Sequence, residues 1–151
     1  MRIHSAAALV LGLALGRLSA APPSSAQAAS QAESTSSCPW PAHLDAVSAA
    51  PKSHRVILEN ERVRVLEVTI EPGEREPVHT HCWPSVLHSM YGRIHRNYDG
   101  EGRVTSEVKV APDASEFPKT YWLEPTPPHA VENLDSAPIR LLRVEVKPCK
   151  P

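Results

Sequence analysis

The sequence predicts an all-β fold, a single small barrel or sandwich, on the strength of its strand periods and its turn signals. Short runs rich in Val, Ile, Leu and Tyr recur from Arg55 to Val146, each bounded by Gly, Pro, Asn or Asp. In the clearest of them, Val104, Ser106, Val108 and Val110 alternate with Thr105, Glu107 and Lys109, the period of a strand with one wet face. No apolar period of helical type persists over a usual helix length, and no internal repeat of solenoid length is present.

Residues 1–28 read as a signal peptide: Arg2, an apolar stretch from Ala6 to Leu15, then small residues, with Ala26-Gln27-Ala28 and the earlier Ser19-Ala20-Ala21 as competing cleavage zones. A transmembrane anchor needs about 20 apolar residues, and Gly12, Gly16 and Arg17 break this run. The expectation is export to a periplasmic or secreted location, with no membrane attachment after cleavage. Residues 29–50 are rich in Ser, Ala and Pro and are expected as a flexible leader. Residues 51–151 then form the folded domain, long enough for one core.

Arg55 to Leu58 and Val63 to Ile70 are the first two strands, the second closed by the turn Glu71-Pro72-Gly73. Leu66, Val68 and Ile70 share a face that Arg64 begins with a charge. Further runs follow at Val78 to His81, Val86 to Tyr91 and Ile94 to Tyr98, and Asp99-Gly100-Glu101-Gly102 is a hairpin signal before Val104. Ala111 to Lys119 reads as a loop, Tyr121 to Leu123 as a short strand, and Pro125-Thr126-Pro127-Pro128 as a rigid bend unable to join a ladder. His129 to Asn133 resumes the sheet. Ile139 to Val146, largely apolar on both faces, is expected at a central position. An immunoglobulin-like sandwich is the rival architecture, without a Cys pair bracketing a Trp to support it.

With a net charge of −1 and no block of Lys or Arg, the chain offers no footprint for nucleic acid. Of the Cys residues, Cys38 opens the folded region and Cys149 closes it, so a Cys38–Cys149 disulfide is the candidate bridge, with three reduced thiols as the alternative. Cys82 is left as the odd one, read as a small buried hydrophobe.

In Val78-His79-Thr80-His81 the two imidazoles lie two residues apart and therefore share a strand face. On an interior face both could reach one ion at about 2.0 to 2.1 Å; on an exterior face they are solvated histidines. The surrounding residues bear on that choice. Gly73, five residues, His79-x-His81 and a closing Gly92 resemble the first motif of the cupin family, and Pro128-His129 followed by Asn133 resembles the second. The resemblance runs from Val63 to Val146. It implies a small cupin-type β-barrel, a double-stranded β-helix or jelly roll, with a metal inside one end held by His79, His81 and His129.

The pattern departs from the family where a glutamate ligand is usual, since Ser85 and Val86 stand there, and where a glycine usually precedes the second-motif histidine, since Thr126 stands there. Three neutral imidazoles leave a divalent charge uncompensated, which favours an anion at the open positions. Imidazole ligands suit Zn, Fe, Cu or Ni better than Mn or Mg. If Val86 takes the missing carboxylate's inward place, alternation sends His88 and Met90 inward and His88 becomes a replacement ligand. Trp83, Trp122, Tyr91 and Tyr121 are candidate pocket residues, His95 a wall residue, and Glu132 is expected to point outward.

Two functions follow from this reading. One is a barrel that binds a divalent transition metal and a small ligand; the other is a metal-dependent, dioxygenase-like enzyme acting on a small anionic or oxygen-rich molecule. Barrels of this kind also pair through sheet edges, so a homodimer is a further expectation.

Overall fold

The structure is a computed structural model that describes residues 38–111 and 117–149. The expected signal segment lies outside those residues. Nine strands follow one another: β1 (His54–Glu59), β2 (Val63–Ile70), β3 (His79–His81), β4 (Ser85–Tyr91), β5 (Ile94–Asp99), β6 (Val104–Lys109), β7 (Lys119–Leu123), β8 (Thr126–Asn133) and β9 (Ile139–Val146). They form a five-stranded sheet in the order β1-β2-β9-β4-β7 and a four-stranded sheet in the order β3-β8-β5-β6. Every strand pair is antiparallel. Among the described residues no helix is long and apolar enough to cross a membrane.

β2 shows why alternation predicts a half-buried strand: Arg64, Leu66, Val68 and Ile70 are buried while their neighbours are half-exposed. With Ile139 of β9, Leu66, Val68 and Ile70 make the core cluster, and Val47, Val56, Val131 and Leu141 pack against it. β9 lies centrally as expected, hydrogen-bonded to β2 on one side and β4 on the other. Its inward face is not uniformly apolar, since Ile139 and Leu141 are succeeded there by Arg143 and Glu145, both buried.

Asn133, fully buried, holds the β8–β9 turn. Its Nδ2 donates to the carbonyls of Ile70 and Ala137, and its Oδ1 accepts from the Asp135 amide, each at 2.9 Å. The turn after β2 needs the positive φ of Gly73 (72°), a conformation open to a residue without a Cβ.

The structure corrects several expectations. The leader assigned to residues 29–50 is ordered in its second half: a 3₁₀ turn (Ala42–Leu44) and a short helix, α1 (Ala46–Ala49), bury Ala46 and Ala50. Thr80 Oγ1 donates to the Leu44 carbonyl at 3.1 Å, and Asp45 bridges to Thr80, so this segment covers the free edge of β3. The disulfide joins Cys38 to Cys82, with Cα atoms 5.0 Å apart, and not to Cys149, which is free and exposed. Cys82 follows the inward-facing His81 and so points outward, where Cys38 meets it.

The prolines thought to break the sheet are part of β8. Pro127 and Pro128 are accommodated because the β3–β8 ladder shifts register there, between the pairs His79↔His129 and His81↔Thr126. β6 is an edge strand rather than one with a single wet face: Val104 is 55% exposed and only Val108 within it is half-buried.

Candidate metal centre

His79 and His81, both buried, face inward from the same side of β3. The ladder sets His129 of β8 directly opposite His79, and their ring centroids are 4.3 Å apart. His129 stands 5.6 Å from His81. A fourth ring joins them from the other sheet. His54, at the start of β1, pairs with Val68 on the inward face of β2, and its centroid is 4.6 Å from His79 and 5.3 Å from His81. One ligand atom from each of His54, His79 and His81 lies within 4.8 Å of the others, so three buried histidines are positioned to hold a metal ion.

The outer nitrogens of all four rings are engaged. His79 Nδ1–H donates to the Pro77 carbonyl at 2.9 Å and His129 Nδ1–H to the Pro127 carbonyl at 2.8 Å. His81 Nδ1–H donates to Glu145 Oε1 at 2.7 Å. His54 Nδ1 lies 3.2 Å from Ser53 Oγ and 3.4 Å from Glu76 Oε1. A carbonyl can only accept, so a neutral ring whose Nδ1 carries the proton keeps its lone pair on Nε2, the nitrogen a metal takes.

Burial keeps the rings neutral. It is the first cause that lowers each of these histidines, bringing His54 and His129 to about 3 and His79 and His81 below their ordinary value. The positive charge of Arg143 acts in the same direction on all four.

Glu145 carries the support outward. Its Oε2 accepts from Arg64 Nε at 2.5 Å, and the Arg64 guanidinium makes a two-pronged pair with Asp45 at 3.0 and 2.8 Å. A chain of polar contacts thus runs from the N-terminal turn through β2 and β9 to His81. On the far side of His54, Glu76 is buried with its Oε1 lacking a hydrogen-bond partner, and burial pushes its carboxyl up to about 7.

The histidines and Glu76 occupy the polar part of a cavity of about 380 Å³ between the sheets. Val68, Ile70, Leu87, Val131, Ile139 and Leu141 form its apolar wall. Tyr121 and His95 also line it.

The other pocket candidates lie elsewhere. β4 runs in the opposite phase to the one that turned His88 inward: Ser85 is fully buried, Leu87 lines the cavity, and Met90 is 43% exposed. His88 instead faces β7, with its Nδ1 2.9 Å from Thr120 Oγ1, so it does not replace the absent carboxylate. Trp83 lies under the cations of Arg64 (4.8 Å) and Lys147 (5.2 Å), and Tyr91 directs its hydroxyl to Asp135 at 3.4 Å. Trp122 is 57% exposed and donates to Glu124. Glu132 pairs with the Tyr98 hydroxyl away from the histidines, as alternation with His129 requires.

Sequence reading missed His54, Glu76, Arg143 and Glu145. A signal existed for the last two, which alternate with Ile139 and Leu141 on one face of the strand expected to be central. His54 has no such local mark, because its inward place follows from the β1–β2 register.

No family model and no curated protein matches the chain. Solved structures do. A cupin domain from Bordetella pertussis is 25% identical, over 63% of this chain and 92% of its own, with a TM-score of 0.51. The chain belongs to the cupin superfamily. An uncharacterised conserved protein with a double-stranded β-helix domain from Klebsiella pneumoniae aligns with 63% of this cupin and 75% of itself, at 20% identity and a TM-score of 0.45. A polyketide cyclase from Streptomyces resistomycificus aligns with 68% of it and 70% of itself, at 19% identity and a TM-score of 0.46. The ligands expected from the sequence were His79, His81 and His129; the three whose ligand atoms lie within 4.8 Å of one another are His54, His79 and His81, so in this cupin a histidine from the first strand joins the His-x-His pair and His129 stands beside them as the fourth ring.

Proposed function

We propose that this cupin binds a divalent transition metal (Zn, Fe, Cu or Ni) through His54, His79 and His81, with His129 as the fourth imidazole, and takes a small molecule into the adjoining cavity. The observation that carries the reading is the engagement of every Nδ1 by an outer partner, which a cluster of unrelated buried histidines does not require. An ion held there would supply Lewis acidity to a bound ligand. The disulfide supports an exported setting, in keeping with the N-terminal signal pattern.

Metal analysis of the purified full chain tests this. Stoichiometric metal is expected in the wild type and is expected to be lost in His79→Ala and His54→Ala. Equal metal content in folded variants and wild type would remove the centre.

A second reading, catalysis, is favoured by Glu76. A buried carboxyl raised to about 7 and lining the same cavity as the histidines has the position and proton affinity of a general base. Glu76→Gln, assayed in metal-loaded protein, is then expected to abolish turnover of any substrate; turnover retained in that variant excludes Glu76 from the role.

A further inference from the structure

The cavity holds a cation that the metal reading does not use. Arg143 projects from the middle of β9, is 4% exposed, and lines the cavity together with the histidines and the apolar wall. Its Nη2 donates to Thr126 Oγ1 at 2.8 Å, and its Nε has no hydrogen-bond partner. No carboxylate pairs with it among the described residues. Glu145, whose charge it feels, has both oxygens committed, one to His81 and the other to Arg64.

A guanidinium out of water and in no direct ion pair of its own is an expensive arrangement. Burial lowers Arg143 only to about 10, so it remains charged at neutral pH. It lines the cavity without a protein carboxylate paired to it, and its neighbours there, Leu87 and Leu141, are aliphatic.

We propose that Arg143 is the anchor for an anionic ligand and that the cavity takes small amphipathic carboxylates, the carboxylate on Arg143 and the apolar body against Val68, Ile70, Leu87, Val131, Ile139 and Leu141. A planar guanidinium matches a carboxylate through paired, charge-assisted hydrogen bonds. The assignment rests on the cavity being the ligand site, as proposed above, but not on the metal.

Calorimetric titration of the full chain with octanoate and with octanol tests it, in metal-free and zinc-loaded protein. Octanoate is expected to bind the metal-free wild type at least about tenfold more tightly than octanol, since a hydrogen bond to a charged group contributes on that scale. Arg143→Gln is expected to weaken octanoate by about ten- to a hundredfold and to leave octanol unchanged, the latter showing that the cavity is intact. Arg143→Lys, which keeps the charge without the planar fork, is expected to fall between the two.

Octanoate binding no better than octanol in the metal-free wild type overturns the proposal, as does unchanged octanoate affinity in folded Arg143→Gln. If that variant does not fold, unchanged affinity in Arg143→Lys together with equal binding of the two probes overturns it. Carboxylate preference in a protein that takes up no zinc would remove the metal reading alone. Zinc uptake without that preference would remove this one alone.

Discussion

At the scale of single residues, the centre depends on groups that never touch the ion. His81 is held by Glu145, which is held by Arg64, which is held by Asp45. Replacing Glu145 with Gln keeps the shape but takes the negative charge from between His81 and Arg64, lowering the basicity of His81 and placing an amide against a guanidinium. Metal affinity is expected to fall by about 10- to 100-fold, read by competition with a chelator of known affinity; affinity equal to wild type would show that Glu145 serves the fold and not the site. The residues legible in advance were those marked by local spacing. His79 and His81 share a face by alternation, and His129 stands in a recognisable frame ending at Asn133. Glu145 and Arg143 lie more than sixty positions beyond His81 and approach it only through the pairing of β9 with β2 and β4, which no local window contains.

At the scale of elements, existence was easier to read than phase. Each of the nine strands overlaps a run identified from alternation and turn signals, because Gly, Pro, Asn and Asp punctuate this chain densely, although β8 starts three residues early, inside the expected bend. The phase of β4 was ambiguous because Trp83-Pro84 interrupts alternation between β3 and β4, and the structure resolves it in favour of Ser85 facing inward. The disulfide was misassigned because spacing says nothing about which edge a leader follows: residues 38–50 run along β3 and bring Cys38 to Cys82, 44 positions away. Closing a loop of that length contributes about 4 kcal/mol in the chain-entropy model. Cys38→Ser is therefore expected to lower unfolding free energy by about 2 to 4 kcal/mol in a denaturant titration, and Cys149→Ser, which alters an exposed free thiol, to leave it unchanged. Destabilisation by Cys149→Ser of the same size as Cys38→Ser would restore the pairing first expected from the sequence.

At the scale of the whole molecule, a barrel that encloses neutral histidines acquires a particular response to acid. In the metal-free protein His54 and His129 titrate at about 3, and His79, His81 and His95 are also lowered, all chiefly by burial. The unfolded chain takes up protons on these groups near the ordinary value of about 6.5. Below that pH the unfolded state binds more protons than the native one, so stability is present above about 6.5 and is lost as the pH falls towards 3. Glu76 has the opposite sign: raised to about 7, it contributes stability that is complete below its ordinary value and is lost as the pH rises through 7. Five lowered histidines outweigh one raised carboxyl, and Glu145, raised in direction only, does not reverse the balance. Thermal unfolding of chelator-treated protein should therefore show a nearly level midpoint close to pH 7, where Glu76 offsets the first histidine protons, and a progressive fall from about pH 6 to pH 4. Zinc in excess should raise the midpoint at pH 7, by about 4 kcal/mol of stability at a thousand times its dissociation constant, and the increment should shrink on acidification because bound imidazoles must be unprotonated. His54→Ala should flatten the acid limb of the metal-free protein and abolish the zinc increment together, since one ring serves both. A midpoint that rises as the metal-free protein is acidified from pH 6 to pH 4 would mean that these imidazoles are not held neutral inside the barrel, and no cluster of protonated rings could receive a cation.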